Sequence, residues 1–505
     1  MNPVVSTRRL VAGLALAGLL FGCSTETPGP SKSKGPKPDL MLITVDTLRS
    51  DHMGPYRDLY AGPDGPAQVE TPAFDEFADA SRVYATAYTA IPLTTASLGS
   101  MLTGKLPRHH GALNNSMDLS GDVRTIVMAL DEAGYDTAAF LPTFLAGKPG
   151  FERGFDVYDY PELGQPGRDG FEVVKRAMKW LEGHDKDAPT FVWIHLFDPH
   201  APYDPGPELE RKHLGDLAGK IPDYLREEVF LDPSQTYDKE IPIVRGLYRG
   251  DVELTDNALA PLFRLLLDRP ATERERLTIL TADHGEHLAE RESYIGHTGF
   301  LHEEMLLVPF IVHSSTGAIE SGIIDYPAFT PDVSPTFAEY SGIGGQWGYD
   351  SGAKPLLSPD FLEPLAELPA DEQRLRFMVH ETFAPEGFYD QMAARYGDSK
   401  YIVETAPERP AGFYLMDGGP AVTEDILADQ DSWSSDVRAR FDEITGRMDA
   451  WQATTDPILR IDSTLTQEQR EALDAMGYMG DDHGHGAPPK KQPTPSEDDE
   501  PGKDG

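Results

Sequence analysis

Runs of consecutive apolar residues recur along the first two thirds of the chain, and helix-like segments separate them. The five clearest runs, with the residue that ends each, are DLMLITVD at Asp46, DTAAFL at Leu141, TFVWIHLFD at Asp198, RLTILTAD at Asp283 and LLVPFIVH at His313. Continuous apolar strands between helices are typical of a parallel sheet buried on both faces. The pattern therefore predicts an α/β domain with a large, mainly parallel sheet flanked by helices. Ligands of open α/β sheets bind at the carboxyl ends of strands, so the Asp and His residues at these ends are expected to converge.

The pattern changes after residue 342. RFMVHETF and SKYIVETA predict strands of a smaller C-terminal α+β region, assigned to 343–480, and LTQEQREALDAMGYMG predicts its final helix. The last 25 residues, 481–505, are rich in Gly, Pro and acidic residues and predict a disordered tail. The large α/β domain is assigned to 39–342.

The N-terminal residues predict an export signal and not a part of the folded domain. Two arginines precede the apolar stretch LVAGLALAGLLFG, which is too short for a membrane span and typical of a signal peptide over 1–22. The ending LLFGC resembles the lipobox of bacterial lipoproteins, in which the cysteine is lipidated. Cys23 is the single cysteine of the chain, and residues 23–38 are rich in Pro, Gly, Ser and Lys, as in a flexible tether. We therefore expect a protein anchored to the lipid membrane through acylated Cys23, at the outer membrane or facing the periplasm. The alternative is an ordinary secretory peptide with an incidental cysteine.

The charge balance excludes one class of partner. The chain has 84 acidic and 44 basic residues, a formal net charge of −40. Such a surface repels nucleic acid and attracts cations, so no DNA- or RNA-binding role is expected. Solubility, or a salty habitat, is sufficient to explain the acidity.

Three residues at predicted strand ends are candidate metal ligands. Asp46 ends the first strand, and Asp283 and His284 end a later one in TADHGEH. Carboxylate oxygens with an imidazole suit Zn²⁺ or Mn²⁺, and Ca²⁺ less well. Taken singly, each carboxylate is equally consistent with a helix cap, and the histidine with an ordinary structural role.

Thr94 is a candidate nucleophile. TASLGSMLTG predicts a short apolar helix that ends at Gly104, so Thr94 lies near the helix N-terminus. There the backbone N–H groups and the helix dipole stabilise an alkoxide or an oxyanion. A threonine hydroxyl needs a base or a metal to react at neutral pH, and a cation held by Asp46, Asp283 and His284 would serve. The alternative is that Thr94 only caps a buried helix.

Several motifs in order resemble the sulfatase family of the alkaline phosphatase superfamily. They are LITVDTLRSDHMG, TPAFDEFA, TTASLGSMLTGKLPRHHG, GYDTAAF, HLFDPHAPY, TADHGEH, HEEMLLVPFIV, GDSKYI and EQREALDAMGYMG. Together they extend from about Asp39 to Gly480. The resemblance implies a sulfatase-like catalytic domain, a divalent metal ion and an anionic ester substrate, cleaved at sulfur or phosphorus.

The resemblance also implies roles for individual residues. Asp46 matches the first metal-binding aspartate of the family, Asp283 and His284 match the late metal pair, and Thr94 matches the nucleophile and a further metal contact. His200, in DPHAPY, matches the histidine that protonates the leaving group.

Other positions are matched less closely. His297 falls near a substrate-facing basic residue, and Asp198, His200 and His297 are a candidate set for a second metal ion. Lys105 and Asn115 flank the predicted nucleophile helix and are candidate substrate contacts, with a structural or surface role as the alternative for each.

Departures from the family pattern change the expected chemistry. Sulfatases of this family carry Cys or Ser at the nucleophile, which is converted to formylglycine; this chain has Thr94 there. Leu98 occupies the position of the usual arginine and Thr47 that of the usual second aspartate. An unmodified threonine resembles instead the nucleophile of nucleotide pyrophosphatase/phosphodiesterases, lipoteichoic acid synthases and phosphoethanolamine transferases.

We therefore expect a hydrolase of sulfate or phosphate esters, with phosphate mono- or diesters favoured. A phospho-group transferase acting on envelope lipids or glycans, and a non-catalytic binding lipoprotein with the same fold, are the alternatives.

Overall fold

The computed structural model describes residues 36–459, together with residues 466 and 467. Within that range it leaves out 61–68, 144–149, 162–164, 166, 185–186, 227–238, 269–273, 291–294, 298, 351, 384–390, 404–410 and 417–424. The predicted signal segment, Cys23 and the acidic tail lie outside the described residues, as does the predicted final helix apart from 466 and 467.

The strands of the described residues are numbered in chain order. They are β1 (Asp39–Val45), β2 (Arg82–Tyr84), β3 (Ala87–Tyr88), β4 (Asp136–Phe140), β5 (Val157–Asp159), β6 (Thr190–Leu196), β7 (Arg276–Ala282), β8 (His287–Leu288), β9 (Ile295–Gly296), β10 (Phe310–Ser314), β11 (Gly322–Ile324), β12 (Ala328–Phe329), β13 (Phe377–Thr382), β14 (Gln391–Tyr396), β15 (Ser399–Val403) and β16 (Gly412–Leu415).

The α-helices are numbered in the same way. They are α1 (Pro72–Asp79), α2 (Thr94–Thr103), α3 (Pro107–His110), α4 (Ile126–Glu132), α5 (Gly170–Gly183), α6 (Pro207–Leu214), α7 (Ile241–Leu267), α8 (Glu303–Leu306), α9 (Val333–Tyr340), α10 (Pro359–Ala366), α11 (Ala370–Gln373) and α12 (Ser435–Thr454). Short 3-10 helices lie at Ser50–His52, Gly54–Tyr56, Gly215–Lys220, Asp223–Arg226, Thr330–Asp332, Gly344–Gln346 and Leu427–Ser432. Among the described residues, no helix combines the length and the apolar character needed to cross a membrane.

The predicted large sheet is confirmed. It has eight strands in the order β11-β2-β10-β7-β1-β6-β4-β5. The strands from β7 to β5 are all parallel, and β1 lies between β7 and β6. Every residue of β1, β6 and β7 is buried, as expected for strands covered on both faces. The parallel arrangement brings the residues after β1, β6 and β7 to one edge of the sheet.

One predicted strand end does not reach that edge. β10 runs antiparallel to β7, with Phe310 opposite Thr281 and Ser314 opposite Leu277. Its last residues therefore lie at the amino end of β7. His313 packs there against the ring of Phe77, at 5.2 Å between ring centroids. The prediction that His313 converges with the other strand ends is wrong, because apolar content does not encode strand direction.

Helix α2 is the element that presents Thr94. All ten of its residues are buried, and small side chains let neighbouring elements approach closely. A Cβ on Gly99 would meet the ring of His110 at 2.8 Å. The helix ends as predicted at Gly104, whose φ of +67° is in the left-handed region that favours glycine. Thr94 is the first helical residue and follows the extended N-cap Leu93.

The C-terminal strands form a separate antiparallel sheet in the order β13-β14-β15-β16. The two predicted strands of this region correspond to β13 and β15. The sheet is tied to the large domain close to α2: Glu381 N donates to Ala90 O at 3.0 Å, and Arg108 Nε donates to Glu381 Oε1 at 2.7 Å. Both partners of that ion pair are buried, so the C-terminal sheet supports the segments on either side of α2.

Candidate active site

The adjacent strands β1 and β7 bring two carboxylates together. Val45 pairs with Ala282 at the ends of the strands, so Asp46 and Asp283 follow side by side. The Thr47 N–H donates to Asp283 Oδ1 at 3.3 Å and the His284 N–H at 2.8 Å. The His284 Nε2 atom lies 3.6 Å from Asp46 Oδ1 and 3.6 Å from Asp283 Oδ2. The three predicted ligands therefore form one cluster, and all three are fully buried.

This cluster suits a divalent cation. One ligand atom from each of Asp46, Asp283 and His284 lies within 4.8 Å of the others. Asp46 Oδ1 and Asp283 Oδ2 are buried and accept no hydrogen bond from any residue that the structure describes. Buried carboxylate oxygens without a donor are costly, and a bound cation removes that cost. Two carboxylates with an imidazole fit Zn²⁺ or Mn²⁺.

The pKa shifts of these three residues also favour a bound cation. Burial raises the pKa of Asp46 to about 7, although His297 opposes the shift. Burial, together with the nearby Asp46 charge, also raises the pKa of Asp283 well above its ordinary value. Burial lowers the pKa of His284, which favours the neutral imidazole that binds metals. Two carboxylates this close resist ionising together, and a cation between them would reverse that effect.

Thr94 points into the cluster and does not cap its helix. Its Oγ1 lies 3.4 Å from Asp46 Oδ2 and 3.4 Å from His284 Nε2, and the N-cap residue of α2 is Leu93, whose side chain makes no capping hydrogen bond. Asn115 serves that end of the helix instead, because its Oδ1 accepts the Thr95 N–H at 2.9 Å. The Ser97 hydroxyl donates to the carbonyl of Asp283 at 2.7 Å. The first part of α2 is thus hydrogen-bonded directly to the backbone of Asp283.

Two further histidines lie beside this cluster. The ring centroid of His297 is 4.4 Å from that of His284 and 5.0 Å from that of His200. His297 and His200 are both buried. The His200 Nδ1 atom lies 2.5 Å from the carbonyl oxygen of Ala201. Burial, reinforced by the neighbouring His297, lowers the pKa of His200 well below its usual range. The structure therefore brings both predicted acid–base histidines to the site.

Other candidates are placed differently. Asn115 is at the site, but Lys105 follows the far end of α2, about 15 Å away for a ten-residue helix. There Lys105 Nζ lies 3.7 Å from Asp350 Oδ1, so the structure does not bring Lys105 to Thr94. Asp198 Oδ1 accepts the Gly170 N–H at the start of α5, at 3.0 Å. Asp198 does not form a second metal-ligand group with the two histidines among the described residues.

Two residues near the site, His195 and Glu286, were not singled out from the sequence, and Thr47 was noted only for occupying the position of the usual second aspartate. His195 Nε2 lies 3.7 Å from Asp46 Oδ2, and Glu286 bonds to His297. His195 lies in the motif HLFDPHAPY and Glu286 lies in TADHGEH. Their place in these motifs was the feature of the sequence that could have pointed to them. Thr47 has a φ of +54°, an uncommon conformation for a β-branched residue. The left-handed turn directs its N–H to Asp283 and its carbonyl to the hydroxyl of Tyr248.

Comparison with known proteins agrees with this geometry. The sulfatase family model matches residues 38–343. An ulvan-active sulfatase of Formosa agariphila is 24% identical over 360 residues, covering 65% of this chain and 67% of that protein. A structure solved with its substrate D-glucosamine-2-N,6-O-disulfate has a TM-score of 0.64 at 18% identity, covering 84% of this chain and 100% of that one. The phosphonate monoester hydrolase of Silicibacter pomeroyi has a TM-score of 0.58 at 17% identity, and the match covers 83% of this chain and 96% of that one.

The mainly parallel sheet, with a buried Asp–Asp–His cluster beside the N-terminus of a buried helix, defines an alkaline-phosphatase-like hydrolase of sulfate or phosphate esters. The family model covers more than half of the chain. This chain belongs to the sulfatase family.

Proposed function

We propose that this sulfatase-family hydrolase uses Thr94 as its nucleophile, depends on a divalent metal ion, and cleaves phosphate mono- or diesters in preference to sulfate esters. The observation that carries the proposal is the position of the Thr94 hydroxyl, 3.4 Å from both Asp46 Oδ2 and His284 Nε2 at the start of α2. A hydroxyl at that point has metal ligands on one side and the helix N-terminus on the other.

The preference for phosphorus follows from the nucleophile. Formylglycine is an aldehyde and arises from Cys or Ser; oxidising a threonine would give a ketone. Thr94 therefore acts unmodified, as an alcohol that forms a covalent ester with the group it attacks. The fold is shared with the phosphonate monoester hydrolase of Silicibacter pomeroyi, which supports phosphorus chemistry on this scaffold.

Asp46, Asp283 and His284 would hold the cation, with Thr94 beside it. When bound, the cation lowers the pKa of the threonine hydroxyl and neutralises charge on the ester oxygens. The Thr94 hydroxyl loses its proton to solvent, Thr94 Oγ forms a bond to phosphorus in line with the leaving oxygen, and the bond from phosphorus to that oxygen breaks. Water then cleaves the phosphothreonine and restores the hydroxyl.

The surrounding side chains position the ester. Asn115 Nδ2 is buried and has no hydrogen-bond partner among the described residues, while Asn115 Oδ1 is held by the backbone of α2. The amide is thus a candidate donor to a non-bridging oxygen of the substrate. His200 or His297 assists the leaving oxygen as a proton donor.

A paired assay tests this proposal. Purified protein is given an aryl sulfate, an aryl phosphate monoester and a phosphate diester, each with wild type and with Thr94→Ala. We expect the highest kcat/KM for one of the phosphate esters and its loss in the variant. Dominant sulfate ester cleavage that depends on Thr94 would overturn the preference for phosphorus.

The two alternative functions are separable from this one. A transferase would show a phosphorylated alcohol as product when glycerol or a sugar is added, at the expense of free phosphate. A non-catalytic binding protein would hold no divalent ion after purification and would show no cleavage that Thr94→Ala removes.

We also propose that the protein is exported and lipid-anchored at Cys23, on the strength of the sequence LLFGC after a signal-like segment. Labelling cells with a radioactive fatty acid tests this. Label in the wild type and none in Cys23→Ser is expected; equal label in both would contradict the anchor.

A further inference from the structure

A buried serine of α2 is hydrogen-bonded to the backbone of a candidate metal ligand. The Ser97 hydroxyl donates to the carbonyl oxygen of Asp283 at 2.7 Å. Ser97 and Asp283 are both fully buried, so water does not compete for this bond. Ser97 follows Thr94 by three residues in α2, and side chains at that spacing are neighbours on a helix. Asp283 therefore contributes its carboxylate to the metal-ligand cluster and its carbonyl to the helix that carries Thr94.

The hydrogen-bonded network continues from Ser97 to the segment that precedes α2. The hydroxyl oxygens of Thr89 and Ser97 are 2.9 Å apart. Ser97 has one hydroxyl proton and the Asp283 carbonyl can only accept, so Thr89 is the donor in the bond to Ser97. The Thr89 hydroxyl also faces the carbonyl of Ile91 at 3.1 Å, and Thr89 is fully buried. The segment before α2, the helix itself and the residue after β7 are thus joined by buried hydrogen bonds.

The C-terminal sheet holds the same segment through β13. His380 Nδ1 lies 2.8 Å from the carbonyl oxygen of Thr89, and the Glu381 N–H donates to Ala90 O at 3.0 Å. Because a carbonyl only accepts, His380 carries its hydrogen on Nδ1 in this bond. Phe383 belongs to a small apolar cluster whose other buried members are Ile91, Leu93, Ala96 and Leu113. The strand β13 therefore supports the segment from which α2 starts.

We infer that Ser97 is a positioning residue, which fixes the Thr94 hydroxyl relative to Asp283 during the reaction. Thr89 and His380 anchor this arrangement to the C-terminal sheet. The inference rests on the proposed function, since it needs Thr94 as the nucleophile and Asp283 as a metal ligand. Ser97 acts through these two residues and not by contact with the ester. A misplacement of about 1 Å between reacting groups can cost on the order of 10²-fold in rate, so one short bond between α2 and Asp283 is able to control turnover.

Removal of the Ser97 hydroxyl tests this role, because Ser97→Ala leaves Thr94 and the Asp283 carboxylate in place. We expect kcat for the preferred ester to fall about 10- to 100-fold, with KM within about 3-fold, since the groups that bind the ester are unchanged. The affinity of chelator-treated protein for Zn²⁺, measured by competition with a chromogenic chelator, is expected to fall about 10-fold, because partners of metal ligands orient them. Thr89→Val removes the hydroxyl that donates to Ser97 and keeps the shape of the side chain. It should show the same pattern with a smaller loss.

A matched control lies one turn further along α2. The Ser100 hydroxyl is as buried as that of Ser97, donates to Ala96 O at 3.1 Å and lies 3.0 Å from His110 Nε2. Neither partner belongs to the metal-ligand cluster. Ser100→Ala should lower the midpoint of urea unfolding, as Ser97→Ala does, but should leave kcat and the Zn²⁺ affinity within about 3-fold of wild type. A Ser97→Ala protein that lost only stability, as the control does, would overturn the inference.

The inference and the proposed function fail in different ways. If Thr94→Ala removed cleavage while Ser97→Ala behaved as Ser100→Ala does, the nucleophile would stand and the role of Ser97 would not. If Thr94→Ala kept full cleavage, the proposed nucleophile would be wrong and the positioning role would fall with it. A lower Zn²⁺ affinity in Ser97→Ala would then show only that the bond to Asp283 supports the metal site. If Ser97→Ala failed to fold, Thr89→Val would decide, and unchanged kcat and Zn²⁺ affinity in that variant would contradict the inference.

Discussion

The hydroxyl of Thr94 donates a hydrogen bond to Asp46 Oδ2 at 3.4 Å, although 48 positions separate the two residues in the chain. The contact joins the first turn of α2 to the end of β1. Because the Thr94 hydroxyl faces Asp46 and His284, it does not occupy the position of a helix cap. In the proposed function, the ester binds beside Thr94 and Asp46.

Removal of this hydroxyl is the first test of the site. Thr94→Ala is expected to lower kcat for the preferred ester by roughly 10³-fold or more, as loss of a nucleophile does. Thr94→Ser should retain far more activity, because it keeps the hydroxyl. The control is Thr103→Ala, at the other end of α2, where the hydroxyl bonds to Gly99 O at 2.7 Å. A comparable loss of activity in Thr103→Ala would mean that helix damage, and not chemistry, explains the result.

Metal binding is expected to depend on Asp283. Asp283→Asn keeps the shape of the side chain but removes one of the two carboxylate charges of the cluster, so it should lower the metal content measured by mass spectrometry. Zn²⁺ or Mn²⁺ added to chelator-treated wild type should stabilise it by about 2.7 kcal/mol at 100 times its Kd. This shift should be largely absent in Asp283→Asn. Asp350→Asn, at the opposite end of α2, should leave the stoichiometry unchanged; equal metal content in both variants would argue against the site.

Two glycine substitutions are expected to change stability in opposite directions, because Gly99 is closely packed in α2 and Gly446 has open space around it in α12. Gly99→Ala would place a Cβ 2.8 Å from the buried His110 ring and should destabilise the protein by about 1–3 kcal/mol. Gly446→Ala, within α12, meets no atom within 4 Å and should stabilise by about 0.5–1 kcal/mol, since glycine is a poor helix former. Urea unfolding measures both. Equal effects of the two substitutions would contradict the packing described for α2.

A buried acidic residue should make stability fall in acid. Burial alone raises the pKa of Glu303, but Arg395 and Lys400 outweigh it and lower the pKa to about 2, from an ordinary 4.5. Lys400 Nζ lies 2.8 Å from Glu303 Oε1 and Arg395 bonds to the same oxygen. A depressed pKa means that the stabilisation is complete above pH 4.5 and is lost as pH falls from 4.5 towards 2. It amounts to something on the order of 3 kcal/mol.

Denaturant unfolding at several pH values between 7 and 3 measures this loss. Glu303→Gln should be less stable at pH 7, because two cations lose their partner, and should depend less on pH below 4.5. Glu443→Gln, which breaks an exposed ion pair with Arg447, should keep the pH dependence of the wild type. If Glu303→Gln kept it as well, the acid sensitivity would have another source.

The amino-acid sequence predicted the main features of the sheet and much of the site. Continuous apolar runs are required where helices cover both faces of a strand, so β1, β4, β6 and β7 were recognisable. Gly104 ended α2 as predicted, because a left-handed residue at that point favours glycine. Asp46 and Asp283 were predicted to meet because parallel neighbours end at the same edge of a sheet.

Only the tertiary structure decided the rest. Strand direction is set by chain connection and pairing, so the antiparallel β10 and the distant position of His313 had no signal in local composition. Lys105 is close to Thr94 in the sequence but is separated from it by the length of α2. Glu286 was visible as a letter of the motif TADHGEH, yet its bonds to His297 and Tyr203 depend on loops that only folding brings together. The types of chemical group were readable from the chain because residue type sets their chemistry; which of them touch is a property of the packed fold.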